Sequence, residues 1–172
     1  LQLRQDLALA ESLDALGYDE LWVGEHHSAS FETIASPELF IAAAAERTRR
    51  IRLGTGVVSL PYHNPLMVAD RITQLNHQTD GRLMFGVGPG QLPSDAHMLG
   101  IDISRQREMM NESLEVLIPL LRGEVVTRKT DWFDLRDARV QMASRIGPMI
   151  EMAVAAAVSP SGPRAAGTHG MG

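Results

Sequence analysis

The sequence predicts an α/β protein built on a parallel sheet, and three observations carry that prediction. Short apolar runs alternate with amphipathic helical segments along the 172 residues. Several of those runs end in glycine-marked loops. The composition is that of an ordinary globular domain, 44% hydrophobic and 22% charged, and the length suits one domain with a sizeable core.

The elements follow in order. Leu3, Leu7, Ala10 and Leu13 recur at helical spacing among charged residues, and Gly17 reads as the C-cap. Leu21-Trp22-Val23 is a short strand, followed by a loop from His26 to Ala35. Ser36-Pro37 supplies an N-cap and a first-turn proline. The helix they open should turn Leu39, Phe40, Ala43 and Ala44 inward and close on Arg47, Arg49 and Arg50, where cations favour the dipole. Ile51 to Val58 is a glycine-containing strand. The loop Pro61 to Pro65 caps a helix with Val68, Ile72 and Leu75 on its apolar face.

The cycle then turns again. Asp80-Gly81 marks a turn, Leu83 to Gly88 a strand, and Pro89-Gly90 its exit. Met110, Leu114, Leu117 and Leu121 form a helical stripe in which Pro119 predicts a kink or an early end. Val125 to Leu135 reads as a hairpin excursion. Ile150 to Val158 reads as a buried strand, with a helix over 149–157 as the rival, and Ser159-Pro160-Ser161-Gly162-Pro163 opens a last short helix. Strands alternating with helices imply parallel pairing through right-handed crossovers. A doubly wound sheet and a β/α barrel both satisfy this rhythm.

Charge and composition exclude several functions. Acidic residues outnumber basic ones, 21 to 16, giving a net charge of -5, which argues against nucleic acid or an acidic membrane surface as partner. There is no cysteine, hence no thiol nucleophile or thiolate metal site. No apolar run reaches the length of about 18 residues that a membrane span needs. A cytoplasmic protein is the expectation.

Candidate chemistry collects where strands run out: Gly24 to His27, Ser59 to Asn64, Gly88 to Pro93 and Ser159 to Gly162. In parallel α/β folds ligands bind at that edge. Gly24-Glu25-His26-His27 is the most informative of these. Adjacent residues at a strand end point opposite ways, so one imidazole can face a site while the other packs. A neutral histidine there suits acid–base work or hydrogen bonding. A metal would need further ligands. His63 is available, but with no cysteine and no His-x-x-x-His helix none is expected. Gly54, Gly56, Gly86 and Gly88 would let a flat group approach the backbone, or else serve tight strand–helix packing. Ser159 to Pro163 could hold a phosphate on orphan amides at a helix N-terminus, or be a plain cap. Gly86-x-Gly88-x-Gly90 is not a dinucleotide fingerprint, since Pro89 interrupts it.

Four motifs in order, residues 17–27, 53–66, 80–90 and 158–164, resemble the bacterial luciferase-like, flavin-dependent monooxygenases, nearest the limonene and alkanal monooxygenase branch. The resemblance implies a TIM (β/α)8 barrel, here an incomplete one with about four parallel strands and flanking helices in a single domain over 1–172. It implies FMN, reduced by a separate reductase, O2 as co-substrate, and one oxygen atom inserted into a small hydrophobic substrate. It places His26 beside the flavin, a non-proline cis peptide at Gly56-Val57 beneath the ring, and the phosphate on Ser159, Ser161 and Gly162, with Gly88 a further cofactor-binding candidate from its place at a strand end. Pro89 stands where luciferases proper carry an arginine, and Asn64 where many relatives carry a second histidine. The same barrel family also admits the deazaflavin F420 with hydride transfer, and a truncated flavin-binding remnant is the non-catalytic alternative. A homo-oligomer is possible.

A full barrel needs about 250 residues. The sequence therefore reads as part of a longer enzyme, with its natural start and first strand missing. Residues 1–172 alone are expected to be poorly soluble and to bind FMN weakly, because Val57, Phe85 and Val154 would lose packing partners on an open inner face.

Overall fold

The computed structural model describes residues 2–142, 150–156 and 161–172, without the side chains of Ser161 and Ala165. The main sheet has four parallel strands in spatial order β1 (Glu20–Val23), β2 (Arg52–Ser59), β3 (Leu83–Gly88) and β6 (Glu151–Val154). Helices α1 (Gln2–Leu16), α2 (Pro37–Ala45), α3 (Pro65–Gln78) and α5 (Gln106–Leu121) lie side by side, and α2 and α3 pack against the sheet. A short α6 (Ser161–His169) packs on β6. The excursion is an antiparallel hairpin, β4 (Val126–Lys129) with β5 (Asp134–Ala138).

Local chemistry fixes most boundaries as the sequence suggests. Gly17 closes α1 at φ 84°, a conformation that costs glycine nothing. Ser36 accepts from the amide of Leu39 at 3.4 Å, and Pro37 fills the first turn of α2. Asn64 caps α3 by accepting from Leu66 and Met67. Pro119 falls inside the last turn of α5, which runs on to Leu121, the end of the predicted stripe, rather than ending early at the proline. β6 is a strand, shorter than the predicted run. Val158 and Ser159 lie outside the described residues, as does the 143–147 segment.

Two features of α2 differ from expectation. Leu39 is 75% exposed and Ala43 is exposed, while Phe40, Ile41, Ala44 and Ala45 are buried. The apolar stripe is one position out of phase with the sequence reading. The arginines lie beyond the helix, because α2 ends at Ala45 with Glu46 as C-cap. That segment is held instead by Asp14 of α1. Its carboxylate accepts from the amides of Arg49 (3.0 Å), Arg50 (2.9 Å) and Ile51 (2.7 Å) and so sets the entry into β2. The same amides hold the Asp14 carboxyl below its usual range. Helix α4 (Pro93–Leu99) was not anticipated. Pro93 at its start and Gly100 in left-handed conformation after its end were the signals.

The two faces of the sheet differ in chemistry. Leu53, Phe85 and Val87 point to the helices and are fully buried. Phe85, and Val154 as the register partner of Val87, therefore do not belong to the inner face, where they were expected. That face carries Trp22, Gly54 and Gly86, together with Arg52, which pairs with Glu20 at 3.5 Å and with Glu151. Trp22 lies across the two neighbouring strands. A Cβ on Gly54 would sit 2.4 Å from its ring, and one on Gly86 3.1 Å from it. The flat group that Gly54 and Gly86 admit is thus an indole of this chain. Gly88 makes room for the Val57 side chain, which a Cβ there would approach to 2.7 Å.

Candidate active site

The exit loops of β1, β2 and β3 and the first turn of α6 converge on the carboxyl edge of the sheet. They enclose a cavity of about 1350 Å³. His26, Gly56, Val57, Gly88 and Gly162 all line it, so the structure brings together five of the seven residues singled out in the sequence. Of the other two, Ser159 lies outside the described residues, and Ser161 is described only as the start of α6. The Gly56–Val57 peptide, which the resemblance picks out, is cis.

The two histidines diverge, as adjacent residues at a strand end must. His26 Nε2 lies 2.7 Å from Glu32 Oε2, and its Nδ1 is buried without a hydrogen-bond partner. His27 packs edge-on against Tyr62, with ring centres 5.9 Å apart, and its Nε2 donates to Glu25 at 3.1 Å.

Glu25 organises this corner. It is 4% exposed and accepts from His63 Nε2 at 2.7 Å and from the Ser59 amide at 2.6 Å, besides His27. Burial pushes its carboxyl up, but the two imidazoles and the amide outweigh that and hold it below the usual carboxylate value. An ionised Glu25 requires Nε2–H on both rings. Arg71 Nη2 lies 3.4 Å from the other nitrogen of His63, which fits that tautomer. Arg71 in turn binds Glu38 at 3.2 Å, and Glu38 accepts from Ser36 at 3.0 Å. His63, weighed above as a metal ligand, is thereby a partner of Glu25. No group of three or more metal-ligating side chains that could hold an ion occurs among the described residues.

A second buried carboxylate, Asp95 of α4, is 2% exposed. It accepts from the Ser28 hydroxyl and from the His27 amide at 3.3 Å. These contacts overcome the upward push of burial and hold its carboxyl low. Burial raises the Tyr62 phenol, which accepts from Gln106 Nε2 at 3.1 Å. Sequence reasoning missed Asp95 and the cavity-lining Arg107 and Arg164. Only an acidic residue in the first turn after a helix-starting proline could have pointed to Asp95.

The arrangement suits a large, partly polar organic ligand. The cavity exceeds the roughly 300–1,000 Å³ usual for small-molecule sites. One wall is nearly bare backbone at Gly56, Gly88, Ala155 and Ala156. His26 lines the cavity, and Arg107 and Arg164 offer positive charge for an anionic group. These residues fit a flavin nucleotide.

Four adjacent parallel strands, flanking helices and a ligand-sized cavity at the carboxyl edge define part of a β/α barrel. The chain belongs to the luciferase-like monooxygenase family, whose model matches residues 1–172. It is 62% identical over 171 residues to 4-hydroxyprotoasukamycin monooxygenase of Streptomyces nodosus subsp. asukaensis, covering 99% of this chain and 46% of that protein. It is 55% identical over 170 residues to limonene 1,2-monooxygenase of Rhodococcus erythropolis, covering 99% and 43%. Among solved structures, the oxygenating constituent of 3,6-diketocamphane monooxygenase from Pseudomonas putida, in complex with FMN, superposes with a TM-score of 0.87. There the identity is 27%, over 98% of this chain and 50% of that one. The chain thus spans about half the length of the relatives it matches.

Proposed function

We propose that this chain carries the flavin-side half of a reduced-FMN-dependent monooxygenase that inserts one atom of O2 into a small hydrophobic substrate. A separate reductase supplies the reduced flavin. The observation that carries the reading is the single cavity shared by His26, the backbone wall at Gly56, Val57 and Gly88, and the α6 turn at Gly162. Two relatives named as monooxygenases and a similar solved structure holding FMN support it. Bound there, FMN supplies the site of oxygen activation. The chain's own residues bind, orient and move protons. The glycine and alanine wall admits a flat ring. Ser159, Ser161 and Gly162 hold the phosphate, with Arg164 nearby in α6. His26 is the acid–base group beside the ring, while His27 and His63 brace Glu25. No helix among the described residues is long and apolar enough to cross a membrane, in keeping with a cytoplasmic enzyme.

His26→Ala in the intact protein is expected to lower oxygenation at least about tenfold, the lower part of what acid–base groups contribute. His27→Ala should cost less activity and more stability. Steady-state assays that reverse this ranking would show that the wrong imidazole has been assigned. Ser159→Ala and Ser161→Ala should weaken FMN by about 1.5–3 kcal/mol each and riboflavin far less, since only FMN carries the phosphate. Equal losses by fluorescence quenching would remove the phosphate assignment. Parallel titration with F420 decides between oxygenation and hydride transfer as the reaction class.

A further inference from the structure

We propose that Asp95 is a positioning residue for His26, orienting the imidazole through Nδ1 and leaving Nε2 as the working nitrogen. The inference rests on the reading of His26 given above and extends it to a residue 69 positions away.

The starting point is a buried polar atom without a partner. His26 Nδ1 is shielded from solvent and makes no hydrogen bond, a state that native proteins seldom tolerate without a reason. The carboxylate oxygen facing it is Asp95 Oδ2, at 3.8 Å. That distance is too long for a hydrogen bond, but acid–base contacts are often loose before ligand binds and tighten afterwards.

Asp95 is built for the role. Its Oδ1 takes both fixed donors, the Ser28 hydroxyl and the His27 amide. These hold the carboxylate plane, and Oδ2 is the oxygen turned to the imidazole. The side chain is 2% exposed, so bulk solvent does not compete for it. The carboxylate on the opposite nitrogen differs. Glu32 belongs to the loop after β1, and its side chain is 52% exposed. Glu32 lines a smaller pocket that shares His26 and Gly56 with the cavity, and a group reaching Nε2 can displace it, whereas Asp95 is held by its two donors. With Nδ1–H donated to Asp95, Nε2 presents its lone pair to whatever replaces Glu32.

The pinned Oδ1 gives a sharp test. In Asp95→Asn the amide oxygen must keep the Ser28 and His27 donors, so the NH2 faces His26 Nδ1 and donates to it. The ring must then carry its proton on Nε2, which removes the lone pair from that nitrogen.

The experiment uses the full-length protein labelled with 15N-histidine, flavin bound, at a pH where the ring is neutral. Long-range 1H–15N spectra should show the Nδ1–H tautomer at His26 in the wild type and the Nε2–H tautomer in Asp95→Asn. Turnover should fall about 100-fold, at the lower end of what a misplaced acid–base group costs, with far less change in flavin Kd. An Nε2–H tautomer in the wild type, or the same tautomer in both proteins, overturns the proposal. If the variant does not fold, the wild-type spectrum decides alone. An inverted tautomer with undiminished oxygenation would uphold the Asp95–His26 pair and instead remove His26 from the reaction.

Discussion

Gly86→Ala is expected to unfold the protein or destabilise it by about 3 kcal/mol or more, beyond the usual 1–3 kcal/mol of overpacking. Backbone freedom is not the reason. A Cβ at this position would lie 2.1 Å from the carbonyl oxygen of Thr55 in the neighbouring strand and 3.1 Å from the Trp22 ring. The ring can turn, but the carbonyl cannot. Thr55 is fully buried, and its hydroxyl donates to the Gly86 carbonyl at 2.8 Å and accepts from the Gly86 amide at 3.0 Å. The register between β2 and β3 shifts just beyond this point, so β2 lacks a regular ladder there that could absorb a displacement. Net stabilities are only about 5–15 kcal/mol, so one such clash takes a large share. Denaturant midpoints measure it. A Gly86→Ala midpoint equal to wild type would show that the close approach of the strands is not real. Gly17→Ala is the contrast. Nothing lies within 4 Å there, and only the positive φ resists, which costs roughly 1 kcal/mol.

Glu25→Ala should cost about 3–5 kcal/mol, the range for breaking a buried ionic cluster by removing one partner. It strips an acceptor from the Ser59 amide, His27 and His63 at once. The exits of β1 and β2 lose their shared anchor, so flavin affinity should fall with stability. The same carboxyl predicts a pH dependence. Its folded value lies below the ordinary 4.5. The stability it contributes is therefore complete above that ordinary value and is lost as pH falls through the folded one. In Glu25→Gln this contribution is absent, so the gap in Tm between wild type and variant should close as acid is added. A constant gap down to about pH 3 would mean that Glu25 is not ionised in the folded protein.

Much of this molecule was legible locally. The helices were marked by apolar spacing and by caps at Gly17, Ser36 and Asn64, and the parallel strands by short apolar runs at helix-length intervals. The Glu-His-His cluster announced a site because such residues at a strand end serve packing poorly. α2 was misread because Leu39 and Phe40 are adjacent and both apolar, so sequence could not phase the stripe. Only the packed neighbours decided that Phe40 turns inward and Leu39 outward.

What the sequence determined by itself was the order of elements, the parallel architecture and the edge at which chemistry collects, since these follow from periodicity and from caps within a few residues. The tertiary structure alone decided which groups meet there. Glu25 finds His63 38 residues away, His26 faces Asp95, and Trp22 fills the space that Gly54 and Gly86 leave open. Each of these contacts depends on strand order and register, which bring distant residues within a few ångströms, and no local pattern encodes them.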